Sequence, residues 1–261
     1  MLKRLVGVIC VRNGWVVQSI GYNRYLPIGR PEIVAENLDR WLLDEILVLC
    51  IDRTAQGLGP DFGTLERIGS KGLMTPLAFG GGISSAEQAL RAVKLGADRL
   101  CIEHVFNTNP QVAEEICEAV GVQAMIRALP LEIGPKGEVL AYNYLPKNTH
   151  IFDPESLATG YGAVFSEVLL IDRKGDGGLA SFDTRLFAPF AQLSHQLIAF
   201  GGITTKPQVQ TILEQPMVSA VAVGNSLSYR ELANLDLIDK SLMHNTRKIS
   251  HGEQSQGARQ W

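Results

Sequence analysis

The stretch LAFGGGISS at residues 77–85 returns as IAFGGITTK at 198–206. In both copies an apolar run enters a glycine turn, followed by an Ile and two hydroxyl residues. Ile83 and Ile203 lie 120 positions apart, and so do Asp52 and Asp172, within VLCIDRTAQGLGPDFGTL (48–65) and VLLIDRKGDGGLASFDTRL (168–186). ADRLCIEHV (97–105) and MVSAVAVGN (217–225) keep the same offset. A period this long exceeds a solenoid unit and implies a duplicated half-domain. Any fold for this chain must be built from two like halves.

Between and around the repeats, β-branched and apolar runs recur: LVGVIC (5–10), ILVLCI (46–51), PLAF (76–79), RLCI (99–102), AMIRAL (124–129), VLLI (168–171), LIAF (197–200) and SAVAV (219–223). Helix-period segments such as 84–96 and 109–121 separate them. Ser84 with Glu87 three residues on is a capping-box pattern, and Gly96 and Gly121 are helix stops. Strands apolar enough to be buried on both faces, alternating with helices, indicate a parallel sheet. With a half-length repeat, the expected fold is α/β, a closed (β/α)8 barrel. It should occupy residues 1–243 as one domain, in halves of about 1–121 and 122–243, with a small hairpin inserted at 134–153. The tail 244–261 is polar, lacks periodicity and is expected to be disordered.

A net charge of −3 and a pI near 6.0 provide no basic field for nucleic acid, so none is expected as a partner. MLKRLVGVIC is too short and too soon interrupted for a signal peptide. No apolar run approaches the roughly 18 residues of a membrane span. Four cysteines without CxxC spacing fit free thiols in a reducing compartment, and the expected location is cytoplasmic. Nothing in the sequence calls for a cofactor.

In such a barrel the loops after the strands form the active face. Glycine turns leading into helix starts offer backbone N–H groups to phosphate. The paired turns, Gly81–Gly82 and Gly201–Gly202, therefore read as twin cradles on opposite halves of one mouth, with Gly224 and Asn225 beside the second. Asp52 and Asp172, at equivalent places in the halves, are acid/base candidates or closers of their turns. Cys10, Cys50 and Cys101 fall near strand ends, close to Glu103 and His104. They either form a soft metal site or fill a barrel layer, and the lack of local Cys/His spacing favours filling, so no metal is expected. Arg127 lies inside a strand, where it either binds an anion or points into the helix layer.

The chain resembles the HisF family, the cyclase subunits of imidazole glycerol phosphate synthase. The likeness runs nearly ungapped from Met1 to about Lys240, through NGWVV (13–17), DEILVL (44–49), FGGGI (79–83), LGADRL (95–100), NPQVAEE (109–115), GEV and KNT of the hairpin, FGGI (200–203) and YREL (229–232). The resemblance implies a bisphosphate substrate and ammonia delivered by a glutaminase (HisH-like) partner at the N-terminal face of the barrel. It places an ammonia gate at Arg4, Glu45, Arg99 and Glu167, with Arg99 standing for a lysine. It also implies a phosphate site at Gly201, Gly202, Gly224 and Asn225, with Asp176 and Gly177 contributing.

The mouth departs from the family. The two aspartates that serve as general acid and base fall on Cys10 and Pro130, and a lysine after the first strand is Gln18. An Asn-Thr pair at the first phosphate site has become Glu103-His104, placing a carboxylate where an anion would sit. The ordinary cyclase reaction is expected to be lost or impaired. Residues 30–62 are similar to a HisF-like branch associated with surface-polysaccharide synthesis, in which ammonia converts an acetamido sugar to an acetamidino sugar. The expected function is thus an ammonia-accepting barrel acting on a phosphorylated or nucleotide-linked acceptor. Asp52, Asp172 and Glu103 would move protons, with Cys10 at a former carboxylate position. A cyclase with relocated catalysis and a silent scaffold for the glutaminase are the alternatives.

Overall fold

The computed structural model describes residues 3–158 and 164–228. In chain order the strands are β1 (Arg4–Arg12), β2 (Trp15–Ile20), β3 (Arg24–Gly29), β4 (Glu45–Cys50), β5 (Leu77–Gly80), β6 (Arg99–Ile102), β7 (Met125–Ile133), β8 (Val139–Asn143), β9 (Asn148–Ile151), β10 (Glu167–Asp172), β11 (Gln196–Phe200) and β12 (Val218–Val223). The helices are α1 (Pro31–Arg40), α2 (Phe62–Gly69), α3 (Ala86–Lys94), α4 (His104–Thr108), α5 (Pro110–Val120), α6 (Glu155–Ala158), α7 (Lys206–Leu213) and α8 (Asn225–Ser228). Eight strands run parallel around a closed barrel in the order β1, β4, β5, β6, β7, β10, β11, β12. Pairing of β12 with β1, Arg4 opposite Ala220 through Gly7 opposite Val223, closes the ring.

Alternation along each strand divides the core into two layers. Val6, Leu47, Ala78, Ile126, Leu169 and Ile198 point into the barrel. Their neighbours Leu5, Ile46, Phe79, Leu100, Val168 and Leu197 pack outward against the helices. Both sets are buried, which is why these strands read as continuous apolar runs.

The repeat survives in atomic detail. Gly81 and Gly82 have φ of +110° and +79°, and Gly201 and Gly202 have +112° and +66°. After each turn a backbone N–H donates to a glutamine four residues on, Ser84 to Gln88 Oε1 at 2.9 Å and Thr204 to Gln208 Oε1 at 3.0 Å. All of these glycines are sterically required. A Cβ on Gly81 would collide with the Cys50 carbonyl, and one on Gly201 with the Asp172 carbonyl.

Two details differ from the sequence expectation, and the expected hairpin at 134–153 is present. The cap of α3 is Ser85, whose Oγ accepts from Gln88 N–H at 3.2 Å, because Ser85 is the last residue with extended backbone. The 134–153 insertion is a hairpin of β8 and β9 that pairs through β8 onto an extension of β7. A second hairpin, β2–β3, was not foreseen. Asn13 and Gly14, with φ of +50° and +75°, turn the end of β1 back on itself, and Arg12 pairs with Trp15. The boundary at 243 and the tail 244–261 lie outside the described residues.

Candidate functional site

At the N-terminal end of the barrel, Arg4, Glu45, Arg99 and Glu167 are each the first residue of their strand. They close into a ring of alternating charge. Arg4 Nη1 lies 3.0 Å from Glu45 Oε2, Glu45 Oε1 3.2 Å from Arg99 Nη1, and Arg99 Nη2 2.7 Å from Glu167 Oε2; Arg4 Nη2 completes the circuit to Glu167 Oε1. Ser166 accepts from Arg99 at 3.0 Å, and Ser219 donates to Glu167. Burial pushes the Glu45 pKa up, against the pull of both arginines. Burial acts the same way on Glu167, but Arg4, Arg99 and the Ser219 hydroxyl outweigh it and leave its pKa below the usual range. Above the ring the axis is lined by apolar side chains, with Ala78, Cys101, Ala128, Ala220 and Ala222 among the larger Leu47, Ile126, Leu169 and Ile198.

The opposite end holds two cavities that share no lining residue. One, of about 370 Å³, belongs to the C-terminal half, with Gly201, Gly202, Thr204, Thr205 and Gly224 at its wall and Cys10 at its floor. The other, of about 380 Å³, belongs to the N-terminal half, with Asp52, Gly81, Gly82 and Glu103 among four tyrosines. The β2–β3 hairpin contributes to both, Val16, Val17 and Gln18 to the first and Tyr22 and Tyr25 to the second.

That hairpin is fastened by residues expected to hold phosphate. Asp176 Oδ2 accepts from the Ser19 hydroxyl at 2.7 Å and from Tyr22 N–H at 3.0 Å, and its carbonyl accepts from Gly21 N–H at 3.1 Å. Asn225 Nδ2 donates to the Ser19 carbonyl at 2.6 Å. A Cβ on Gly177 would come within 2.8 Å of Ile20 Cα. All three still line the cavity, but their polar atoms and close approaches are directed at the hairpin.

The proton-transfer candidates separate. Glu103 lies in the N-terminal-half cavity, and burial raises its pKa to about 7. Asp52 lines the same cavity while one oxygen accepts from Asn13 N–H at 2.7 Å. Asp172 must be withdrawn. It is buried, lines neither cavity, and both oxygens accept loop N–H groups, from Gly175 at 2.9 Å and Asp183 at 2.8 Å. Cys10 is withdrawn as well. Burial, with Asp176 nearby, pushes its thiol up to about 12, so it stays protonated at neutral pH. Cys101 shares its layer inside the barrel, whereas Cys50 packs into the outer one. Among the described residues no three His, Cys, Asp or Glu side chains are placed to hold a metal. Arg127 is buried in the helix layer, its guanidinium 5.1 Å from the Phe106 ring centroid.

A profile of histidine biosynthesis proteins matches residues 4–233. The chain belongs to the HisF family. Among its relatives are a putative imidazole glycerol phosphate synthase subunit HisF of Leptospira interrogans, 26% identical over 247 residues (92% of this chain, 95% of the relative). A putative subunit hisF3 of Vibrio vulnificus is 26% identical over 235 residues (87% and 88%). The subunit HisF of Natranaerobius thermophilus is 25% identical over 242 residues (91% and 94%). No helix among the described residues is long and apolar enough to cross a membrane.

Within this HisF-type barrel, several residues at the mouth escaped the sequence reading. Tyr22 and Tyr144 meet edge-on with ring centroids 5.8 Å apart, and Tyr142 and Tyr144 at 5.1 Å. Arg12 stands over Tyr25 at 4.6 Å, and Arg173 over Tyr142 at 3.8 Å. A signal for the first pair existed, since Asn-Gly between alternating apolar residues marks a hairpin. Its two turns carry the arginine and tyrosines to the mouth. Thr204 and Thr205 are the hydroxyl pair of the second repeat, whereas no local pattern marks Ser166 or Ser219 at the opposite end.

Proposed function

We propose that this HisF-family barrel receives ammonia through the Arg4–Glu45–Arg99–Glu167 ring and delivers it to a phosphorylated acceptor at the opposite mouth. The closed ring is the observation that carries the proposal. Four charges largely withdrawn from water, with Glu45 fully buried, gain little stability over well-packed apolar residues, so the ring needs a reason beyond folding. An ammonium ion passes its proton to Glu45, whose pKa burial raises above that of Glu167, and Glu45 returns it to water at the open face of the ring before the next passage. Neutral ammonia then crosses the apolar axis, which would exclude a charged ion. One ion pair of the ring must open for each passage.

At the mouth, Glu103 is the proton carrier. A carboxyl with a pKa near 7 is poised to take a proton from attacking ammonia and return one to a leaving oxygen. Asp52 orients from beside it. The phosphate lies against the Gly201–Gly202 turn, where Thr204, Thr205 and Gly224 complete the wall. The acceptor that fits is a phosphorylated or nucleotide-linked sugar of the kind used in surface-polysaccharide synthesis. The replacement of the family's catalytic aspartates by Cys10 and Pro130 supports a changed acceptor. The names of the relatives, as subunits of a synthase, support a partner, which we take to be a glutaminase seated on the ring face.

The test is to mix the barrel with a HisH-type glutaminase from the same source and follow glutamine hydrolysis. The expected result is a rate at least tenfold above the glutaminase alone, abolished by Glu167→Ala and retained with Asp52→Asn. Unchanged hydrolysis with folded protein would count against the proposal.

A further inference from the structure

The two halves share their turn geometry but not their donors or their charge. In the N-terminal half, the donors of the turn are already engaged. Gly82 N–H donates to Thr54 Oγ1 at 3.2 Å, a bond additional to the Ser84–Gln88 contact that Thr204–Gln208 matches in the other half. Glu103 adds a carboxylate to the N-terminal-half cavity, whereas Asp176, the carboxylate of the other cavity, is taken up by Ser19 and Tyr22. The cations of the N-terminal-half cavity are committed too. Arg173 pairs with Glu132 at 2.6 Å and stacks on Tyr142, Arg12 stacks on Tyr25, and Lys147 stands at the exposed rim. What the cavity presents instead is aromatic surface. Tyr22 and Tyr25 come from the hairpin after β1, and Tyr142 and Tyr144 from the insertion after β7, so four rings converge from separate halves of the chain.

We infer that the N-terminal-half cavity binds a neutral ring, a sugar or a nucleobase, flat against these tyrosines, and that of the two cavities it is the C-terminal-half one that takes phosphate. Aromatic faces hold such rings by stacking and dispersion, and do so without a net charge in the site. The ring then sits beside Glu103 while a phosphate occupies the Gly201–Gly202 wall. The inference rests on the proposed function only in placing that ring near the ammonia outlet. Binding itself can be measured without any glutaminase.

The experiment titrates the full-length protein by calorimetry with three probes, namely methyl glucopyranoside, uridine and inorganic phosphate, using Tyr144→Ala, Tyr142→Ala, Tyr144→Phe and Thr205→Glu. At least one ring probe should bind, weaken about tenfold in Tyr144→Ala or Tyr142→Ala, persist in Tyr144→Phe and be unaffected by Thr205→Glu. Phosphate should show the opposite pattern, with one site per barrel, about tenfold weaker in Thr205→Glu and unchanged in Tyr144→Ala. Binding of the glycoside alone identifies a sugar site, and of uridine alone a nucleobase site. Two phosphates per barrel, phosphate binding that depends on Tyr144, or no binding of either ring probe to folded protein would overturn the inference. Failure of the glutaminase test would leave these results standing, so the two ideas fail separately.

Discussion

The two ends of this barrel differ in build. At the N-terminal end, four charged residues on four strands meet in a closed ring, three of whose ion pairs span 2.7–3.2 Å. At the other end, the places of two family carboxylates hold a protonated thiol at Cys10 and a proline at Pro130, and a hairpin divides the mouth. Strand ends at the bottom are fixed by the barrel's own geometry, whereas the mouth is built from loops that can change without disturbing the sheet. In the function proposed above, the entrance is the ring and the changed chemistry lies at the mouth.

The largest effect should come from opening the ring. Glu45→Ala leaves two arginines facing a buried gap and should cost about 3–5 kcal/mol, read from denaturant unfolding. If it costs less than about 1 kcal/mol, the ring is solvated and the contrast between the two ends is weaker than described. Next, Gly202→Ala should cost about 2–3 kcal/mol, since its Cβ would strike Ser181 and the Gly175 carbonyl at a backbone conformation that disfavours alanine. Phosphate affinity should fall with it. The equivalent Gly82→Ala should cost about as much, through the Leu58 carbonyl, and leave phosphate affinity unchanged.

Glu103 yields a pH-dependent effect of similar size. Its folded pKa of about 7 exceeds the ordinary glutamate value, so the folded state holds this proton more tightly than the unfolded chain. That contribution is complete below about pH 4 and is lost as pH rises through 7. Glu103→Gln should therefore be neutral at pH 4 and stabilise by about 3 kcal/mol at pH 8, in thermal or urea unfolding. A difference that does not vary with pH would show that the carboxyl is hydrated. The smallest signal is thiol labelling. Burial pushes the thiols of Cys10 and Cys101 up to about 12 and that of Cys50 higher, while Cys117 is half-buried on α5. One of the four cysteines should react readily in native protein and all four after unfolding.

The barrel strands were legible because parallel strands buried on both faces leave unbroken apolar runs, and the helix stops at Gly96 and Gly121 because both residues need positive φ. The repeat revealed the closure. The cap of α3 was misplaced by one residue because Ser84 and Ser85 differ only in backbone conformation. The ring came from family resemblance alone, since nothing in the local sequence relates Arg4 to Glu167. The fate of Asp172 and Asp176 could not be read for the same reason. Their hydrogen bonds run to a loop eleven residues on and to a hairpin more than 150 residues away. The β2–β3 hairpin was legible in Asn13-Gly14 and was passed over, and with it went the division of the mouth.

The most direct measurement is cyclase turnover on the family's bisphosphate substrate with ammonium salt supplied in place of a partner. The expected result is none above background from protein shown to be folded, because neither Cys10 nor Pro130 can exchange a proton at neutral pH and the cavity proposed above to hold a neutral ring presents Glu103 and tyrosines in place of a second phosphate cradle. Clear turnover would contradict the account and make the mouth, like the ring, that of a working cyclase.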